Sequence, residues 1–245
     1  MSADALPLRI AERAEIARDI HRFTLVHAAG APLPPFTAGA HLAMTVPNGL
    51  RRRYSLCSDP ADASRYEIAV KREAAGRGGS ASLCDDARAG EVLAAEAPQN
   101  GFPLPDRAAS FLFVAGGIGI TPIMSMLRAL EGDPRPWKLV YLTRSPEVTG
   151  FSGELAAHGP RVVIHHDGGD PERAFDLWPL LEKPANRHIL CCGPKPLMDA
   201  VRDMTGHWPA SAVHFEDFGA GVAATRPEDT AFTVRLARSG REVAI

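Results

Sequence analysis

The sequence has no uninterrupted apolar run of the ~18 residues that a membrane-spanning helix needs. Its start, MSADALPLRIAERAEIARDI, carries no apolar stretch behind a basic segment, so a secretory signal is not expected either. Cysteine is scarce: Cys57, Cys84, Cys191 and Cys192 are the only four in 245 residues, and no C-x2-C pair stands among them. That excludes a disulfide framework and gives reduced thiols as the expectation. There is no block of like charge, since 27 Lys and Arg against 29 Asp and Glu leave a net charge of −2. Nucleic acid and anionic membrane surfaces are therefore not expected partners. What is present is a chain 45% apolar and 23% charged, with 22 glycines and 21 prolines. A cytoplasmic, turn-rich, globular protein that handles small molecules fits this composition.

The texture changes along the chain. Residues 1–105 carry short β-rich runs, Arg9–Ile16, Arg22–His27, His41–Val46, Arg53–Cys57, Tyr66–Lys71 and Glu91–Glu96. Breaks such as Pro32-Leu33-Pro34-Pro35 and Pro47-Asn48-Gly49 separate them, and one short helix is expected at Ser80–Ala87. This pattern predicts a small antiparallel barrel. Residues 106–218 alternate wholly apolar runs (Phe111–Ala115, Lys138–Leu142, Val162–His165, His188–Cys192, Ala212–Phe215) with helical patterns. Strands apolar on both faces belong to a covered parallel sheet, here five βα units of a doubly wound domain, so the fold class is β followed by α/β. In residues 219–245 a small-residue linker precedes an alternating hairpin, Phe232–Leu236 and Glu242–Ile245. Two strands alone are marginal in water, so the hairpin is expected to open a third domain.

Two strand ends carry phosphate-type chemistry. Val114-Ala115-Gly116-Gly117-Ile118-Gly119-Ile120-Thr121-Pro122 closes the first sheet strand and opens a helix, where glycines admit a diphosphate to free amides. Taken alone, such a turn is equally an ordinary tight connection. Cys191-Cys192-Gly193-Pro194 ends the fourth strand on the same side, which places Cys192 at the ligand crevice. In the barrel, Arg52-Arg53-Tyr54-Ser55 offers guanidinium, ring and hydroxyl, and Gly76-Arg77-Gly78-Gly79-Ser80 offers amides at a helix start. His165 and His166 are neighbours on a strand and point to opposite faces, so no metal site is predicted.

These segments, in order RRYSL (52–56), AVKR (69–72), GRGGS (76–80), VAGGIGITP (114–122), YLTR (141–144), IHHD (164–167), CCGP (191–194), GHWP (206–209) and HFEDFG (214–219), resemble the ferredoxin–NADP reductase superfamily. The resemblance spans essentially the whole chain and is strongest to the phthalate dioxygenase reductase branch. It implies an FMN-binding barrel, an NADH-binding α/β domain and a C-terminal plant-type ferredoxin domain holding a 2Fe-2S cluster. By position, Arg52 would bind the flavin phosphate, with Arg53 an added charge beside it. Tyr54 and Ser55 would hold the flavin ring, Ala69, Val70 and Lys71 would run along it, and Gly78, Gly79 and Ser80 would donate to the phosphate. Gly117, Ile118, Gly119 and Thr121 would take the NADH diphosphate, Thr143 and Arg144 its adenosine end, and Cys192, Gly193 and Pro194 the nicotinamide. Phe218 would cover the flavin, with Glu216 nearby.

Ser55, Cys192 and Phe218 are then the residues closest to the chemistry. The implied activity is that of the reductase component of a Rieske-type aromatic-ring dioxygenase, a monomer carrying electrons from NADH through FMN to a 2Fe-2S centre. No cysteine loop for that cluster lies in these residues. The expectation is a shortened reductase, the alternative a form served by a separate ferredoxin. An FAD enzyme using NADPH, and a flavin-binding regulatory module without turnover, are the rival readings.

Overall fold

The computed structural model describes residues 5–184 and 186–218, together with the backbone of 233–235 and 242–244. Six strands form the first half: β1 (Leu6–Ala17), β2 (Ile20–His27), β3 (His41–Thr45), β4 (Arg51–Ser55), β5 (Tyr66–Lys71) and β6 (Val92–Ala95). Their order is β4-β3-β6-β1-β2-β5, with every named pairing antiparallel. The edges meet: Leu56 bridges Ile68, and the Cys57 amide donates to the Glu67 carbonyl at 2.8 Å. The predicted barrel is thus closed, which removes the exposed edges of an open sheet. Leu8, Ile10, Phe23, Leu25, Leu42, Met44, Ile68 and Val70 fill it, and helix α1 (Gly79–Asp86) covers it with Leu83 and Cys84. Each large side chain contributes about 1.5–3 kcal/mol by leaving water, and a one-residue slip would turn a whole strand outward, so this interior sets the register.

In the second half β7 (Phe111–Gly116), β8 (Trp137–Thr143), β9 (Val162–His166), β10 (His188–Cys192) and β11 (Val213–Glu216) form a parallel sheet ordered β11-β10-β7-β8-β9. The helices are α2 (Ile120–Ala129), α3 (Ser152–Ala156), α4 (Trp178–Leu181) and α5 (Lys195–Met204). Phe111, Phe113 and Ala115 of β7 pack with α2 and α3, whereas Leu112 and Val114 pack with α4 and α5. Helices therefore cover both faces, as expected of a doubly wound sheet. Four of the five strands are followed by a helix among the described residues. The order reverses between β7 and β10, the place where such sheets open a crevice at their carboxyl ends.

The two halves share one apolar core. Ile20, Ala38, Cys57, Ala69 and Phe102 join Met126, Leu127, Tyr141 and Phe151 in it.

Several boundaries differ from the sequence reading. β1 starts at Leu6 rather than Arg9 and absorbs register shifts after Ile10 and Glu15. Arg18 and Asp19 make the tight turn into β2, with Asp19 in the left-handed region at φ 62°. Of the predicted C-terminal hairpin, β12 (Thr233–Arg235) and β13 (Glu242–Ala244) pair antiparallel. The predicted linker, Gly219 to Asp229, and the hairpin positions Phe232, Leu236 and Ile245 lie outside the described residues.

Candidate active site between the two halves

Glycine decides how close the carboxyl ends of β7 and β10 come. A Cβ on Gly119 would stand 2.2 Å from the Cys192 carbonyl oxygen, and one on Gly116 would stand 2.6 Å from Cδ of Pro194. Gly193 is equally pressed, with a would-be Cβ 2.9 Å from the Gly116 nitrogen. The two glycine-bearing segments singled out in the sequence are thus a single packed unit. Gly117 adopts φ 53°, a turn that lets a short 3-10 segment lead into α2. The Thr121 hydroxyl donates to the Ile118 carbonyl at 3.0 Å and fixes the first turn of that helix.

Across from α2 the barrel offers a cavity of about 280 Å³. Arg52, Arg53, Tyr54 and Ser55 of β4 form one wall and Ala69, Val70 and Lys71 of β5 another. Glu73, Gly76, Arg77, Gly79 and Ser80 close one end, and Ile118, Thr121 and Phe218 come from the second half. Residues from five separated segments of the predicted set therefore meet in one space. At the α1 end the Arg52 guanidinium donates to the carbonyls of Arg51 (2.8 Å) and Arg77 (3.3 Å). A Cβ on Gly79 would lie 2.5 Å from Arg52 Nε, so only glycine lets this arginine lie along the helix start. Gly78 caps α1 at φ 79°, and Asn48 Nδ2 donates to its carbonyl at 3.2 Å. The first-turn amides of α1 have no partner within the helix and favour an anion there, next to the Arg52 guanidinium.

The cavity wall also contains buried hydroxyls that the protein leaves without partners, Tyr54 OH and Ser55 Oγ. Buried polar groups are almost always satisfied, so two in one wall mark a place built for an outside acceptor or donor. Burial pushes the Tyr54 phenol well up, so it stays a neutral donor at physiological pH. Unpartnered hydroxyls, a basic helix start and a slot between two halves suit the ring and phosphate of a flavin.

The remaining predicted residues lie around this space. Cys192 is fully buried in the shared core, burial pushes its thiol well above the ordinary range, and its backbone carbonyl lies against the Gly119 position. Glu216 on β11 pairs in register with Cys192; burial raises its carboxyl, while Arg53 pulls it down. Phe218 is 43% exposed and, among the described residues, the only cavity residue from the segment after β11. Thr143 ends β8 and Arg144 follows it; Thr143 Oγ1 lies 2.8 Å from both His166 Nδ1 and Thr149 Oγ1. His165 instead faces the Arg173 carbonyl at 2.7 Å, so the adjacent histidines diverge.

Residues 7–103 match the oxidoreductase FAD-binding domain family. The chain is 56% identical over 240 residues to phthalate dioxygenase reductase of Burkholderia cepacia, covering 96% of this chain and 74% of that protein. The chain belongs to the phthalate dioxygenase reductase family. It is 52% identical to the phthalate 4,5-dioxygenase oxygenase reductase subunit of Pseudomonas putida, over 97% of this chain and 74% of that one. A solved phthalate dioxygenase reductase, described as a modular structure for electron transfer from pyridine nucleotides to [2Fe-2S], superposes with a TM-score of 0.85. It shares 53% identity over 98% of this chain and 76% of its own length.

As a member of the phthalate dioxygenase reductase family the chain is a flavin-binding oxidoreductase of the dioxygenase reductase type. No helix among the described residues is long and apolar enough to cross a membrane. For a phthalate dioxygenase reductase-type site, the sequence pattern leaves out Glu73 and marks Gly76 and Arg77 only as part of the glycine loop, with no role of their own. All three sit in the loop between β5 and α1, where the glycine run signals a turn without revealing which side chains it aims inward.

Proposed function

We propose that this reductase passes electrons from NADH through FMN to a 2Fe-2S centre serving a Rieske-type aromatic-ring oxygenase, phthalate being the model substrate of its relatives. The observation that carries the reading is the cavity at the meeting of the two halves. Tyr54 and Ser55, whose buried hydroxyls have no partner among the described residues, line it, and Arg52 lies on the α1 start at its end. Residues 1–105 act as the flavin half and 106–218 as the nicotinamide half. The C-terminal hairpin fits the opening of a ferredoxin module. Such a module, in the same chain or a separate one, is the acceptor, and the terminal oxygenase lies beyond it.

A bound flavin supplies the conversion of one two-electron hydride into two single-electron transfers. The chain's own residues do the positioning. Arg52, Arg77 and the α1 amides of Gly79 and Ser80 hold a terminal phosphate dianion; two guanidinium groups match that double charge, which favours FMN over FAD. Ser55 donates to the reactive edge of the ring, Tyr54 to its polar side, and Ala69 to Lys71 support it. Gly117, Ile118, Gly119 and Thr121 receive the diphosphate of NADH, and Thr143 and Arg144 flank its adenosine end. The backbone of Cys192, Gly193 and Pro194 borders the nicotinamide, and Phe218, with Glu216 on the same segment, closes over it.

The flavin released by denaturation is expected to be FMN by chromatography, and FAD would overturn that assignment. Anaerobic mixing with NADH is expected to bleach the bound flavin within seconds, and faster than NADPH does. Failure to bleach would leave the regulatory-module reading in its place.

A further inference from the structure

One helix touches both the cavity and a group of charges at the far end of the domain contact. α2 begins beside Ile118 and Thr121 at the cavity and ends with Arg128, whose side chain is 18% exposed. Arg128 Nη1 donates to Glu67 Oε2 at 3.0 Å and to the Cys57 carbonyl, both on the barrel. Its Nη2 donates to Glu154 Oε2 on α3 at 2.6 Å, and the other oxygen of Glu154 accepts from Arg22 Nη1 of β2 at 3.2 Å. Arg65 Nε lies 3.4 Å from Glu67 as well. Charge pairs therefore cross the boundary in both directions: an α/β-domain arginine to a barrel carboxylate, and an α/β-domain carboxylate to a barrel arginine.

The barrel anchors of this clasp are two residues from the cavity wall. Cys57 follows Ser55, and Glu67 precedes Ala69. The apolar contact around it, where Ala69 and Phe102 share a core with Met126 and Leu127, resists separation. Apolar attraction has no direction, however, and tolerates sliding and rotation. A guanidinium that spans two carboxylates and a carbonyl does not, because its donors sit in a fixed fork.

We propose that Arg128 is a positioning residue for the nicotinamide-to-flavin reaction. Its clasp with Cys57, Glu67 and Glu154 sets the angle between the two halves and so the distance between the reacting rings. At a rise of 1.5 Å per residue, Arg128 lies about 10 Å along α2 from Thr121. A rocking of about 5° over that length moves the cavity end of the helix by about 1 Å. Misplacement of that size costs about a hundredfold in rate. The proposal rests on the reading that both rings meet at this cavity.

The test compares wild type with Arg128→Met, Arg128→Lys and Glu154→Gln in the flavin-loaded protein, under anaerobic stopped-flow with NADH. Arg128→Met is expected to slow the reduction step about ten- to hundredfold and to weaken the long-wavelength absorbance of the NADH–flavin pair. Flavin affinity and NADH dissociation constant should stay within about twofold. Arg128→Lys, with its charge but no fork, should recover part of the rate; Glu154→Gln, at an exposed partner, should lose less. An independent readout needs no flavin. All four native cysteines are buried, so nitroxides on Glu12→Cys and Lys183→Cys, one on each half, label specifically. Their distance distribution is expected to be narrow in wild type and broad with Arg128→Met.

A variant that keeps both the rate and the narrow distribution overturns the proposal. So does one that loses rate, flavin and NADH binding together in step with its melting temperature. Wild type that NADH does not reduce would refute the cavity reading itself, while the label distances would still judge the clasp.

Discussion

Replacing Gly119 with alanine adds one methyl group where β7 and β10 converge, and its effect can be worked out from the contacts. Gly119 has φ −61°, which alanine adopts freely, so no backbone strain enters. Filling it should even gain about 0.4–1 kcal/mol through the unfolded state. Against that, the new carbon would meet the Cys192 oxygen at 2.2 Å, its carbonyl carbon at 2.5 Å and the Gly193 nitrogen at 2.8 Å. These are backbone atoms of a buried strand end, and no rotamer relieves them. The end of β10 must retreat by about 1 Å, a form of overpacking that costs about 1–3 kcal/mol, here at the upper end. The net expectation is about 2 kcal/mol, or a melting temperature lower by about 4–8 °C for a chain of this size.

The same retreat moves Gly193 and Pro194 away from the crevice, so the KM for NADH should rise while flavin affinity holds. Gly117→Ala is the control. Open space surrounds that position, but φ is 53°, so it should cost about 1–2 kcal/mol of local strain without displacing β10. Thermal melts and NADH titrations of both variants decide the matter. A Gly119→Ala protein that melts within 1 °C of wild type and keeps its NADH affinity would refute the close approach of these strand ends.

Phe218→Ala removes a 43% exposed ring from the cavity mouth and should change stability by no more than about 0.5 kcal/mol. It should alter the ratio of NADH to NADPH reduction rates in stopped-flow, and unchanged rates with both donors would end its covering role. Burial lowers the pKa of His41, His158 and His214 below the ordinary 6.5, helped by Arg53, Arg161 and His188 respectively. The unfolded chain then binds protons that the folded one resists, so stability should be full above pH 6.5 and fall as the pH drops below it. Urea midpoints at pH 7.5 and 5.5 measure this; equal midpoints contradict it, and His214→Gln should flatten the slope. All four thiols are fully buried, with Cys57 and Cys191 pushed up to about 12 and Cys84 to about 11. A disulfide reagent at pH 8 should therefore titrate no cysteine in the folded protein and four in denaturant.

The barrel and the sheet were legible because their strands carry opposite patterns. β7 and β10 are apolar on both faces, and β1 alternates from Leu8 to Ile10. The cavity was legible in pieces, since glycines and arginines at element ends announce phosphate chemistry. Closure through Leu56 and Ile68 was not, because pairing between distant strands depends on interior packing that no local pattern records. Cys192 shows a similar limit: a strand-end position says which crevice a residue borders, but not that its side chain is fully buried in the core shared by the two halves. Arg128 was invisible as anything but a polar residue near a helix end. Its meaning comes from Glu67 and Glu154, which only the docking of the two halves brings within reach.

The strand orders also bear on how the chain acquires its shape during synthesis. β1 is flanked by β2, its immediate successor, and by β6, the last barrel strand to be made; β7 is flanked by β8 and by the much later β10. Neither half can complete its middle until its late strand has emerged from the ribosome. Contacts so far apart in sequence slow folding by the loop entropy they must close. Each half therefore waits with an unfilled slot, and β10 brings with it the Cys192-Gly193-Pro194 wall of the crevice. On the proposed assignment, the wall that would border the nicotinamide is thus among the last parts of the crevice to be made, after every barrel strand.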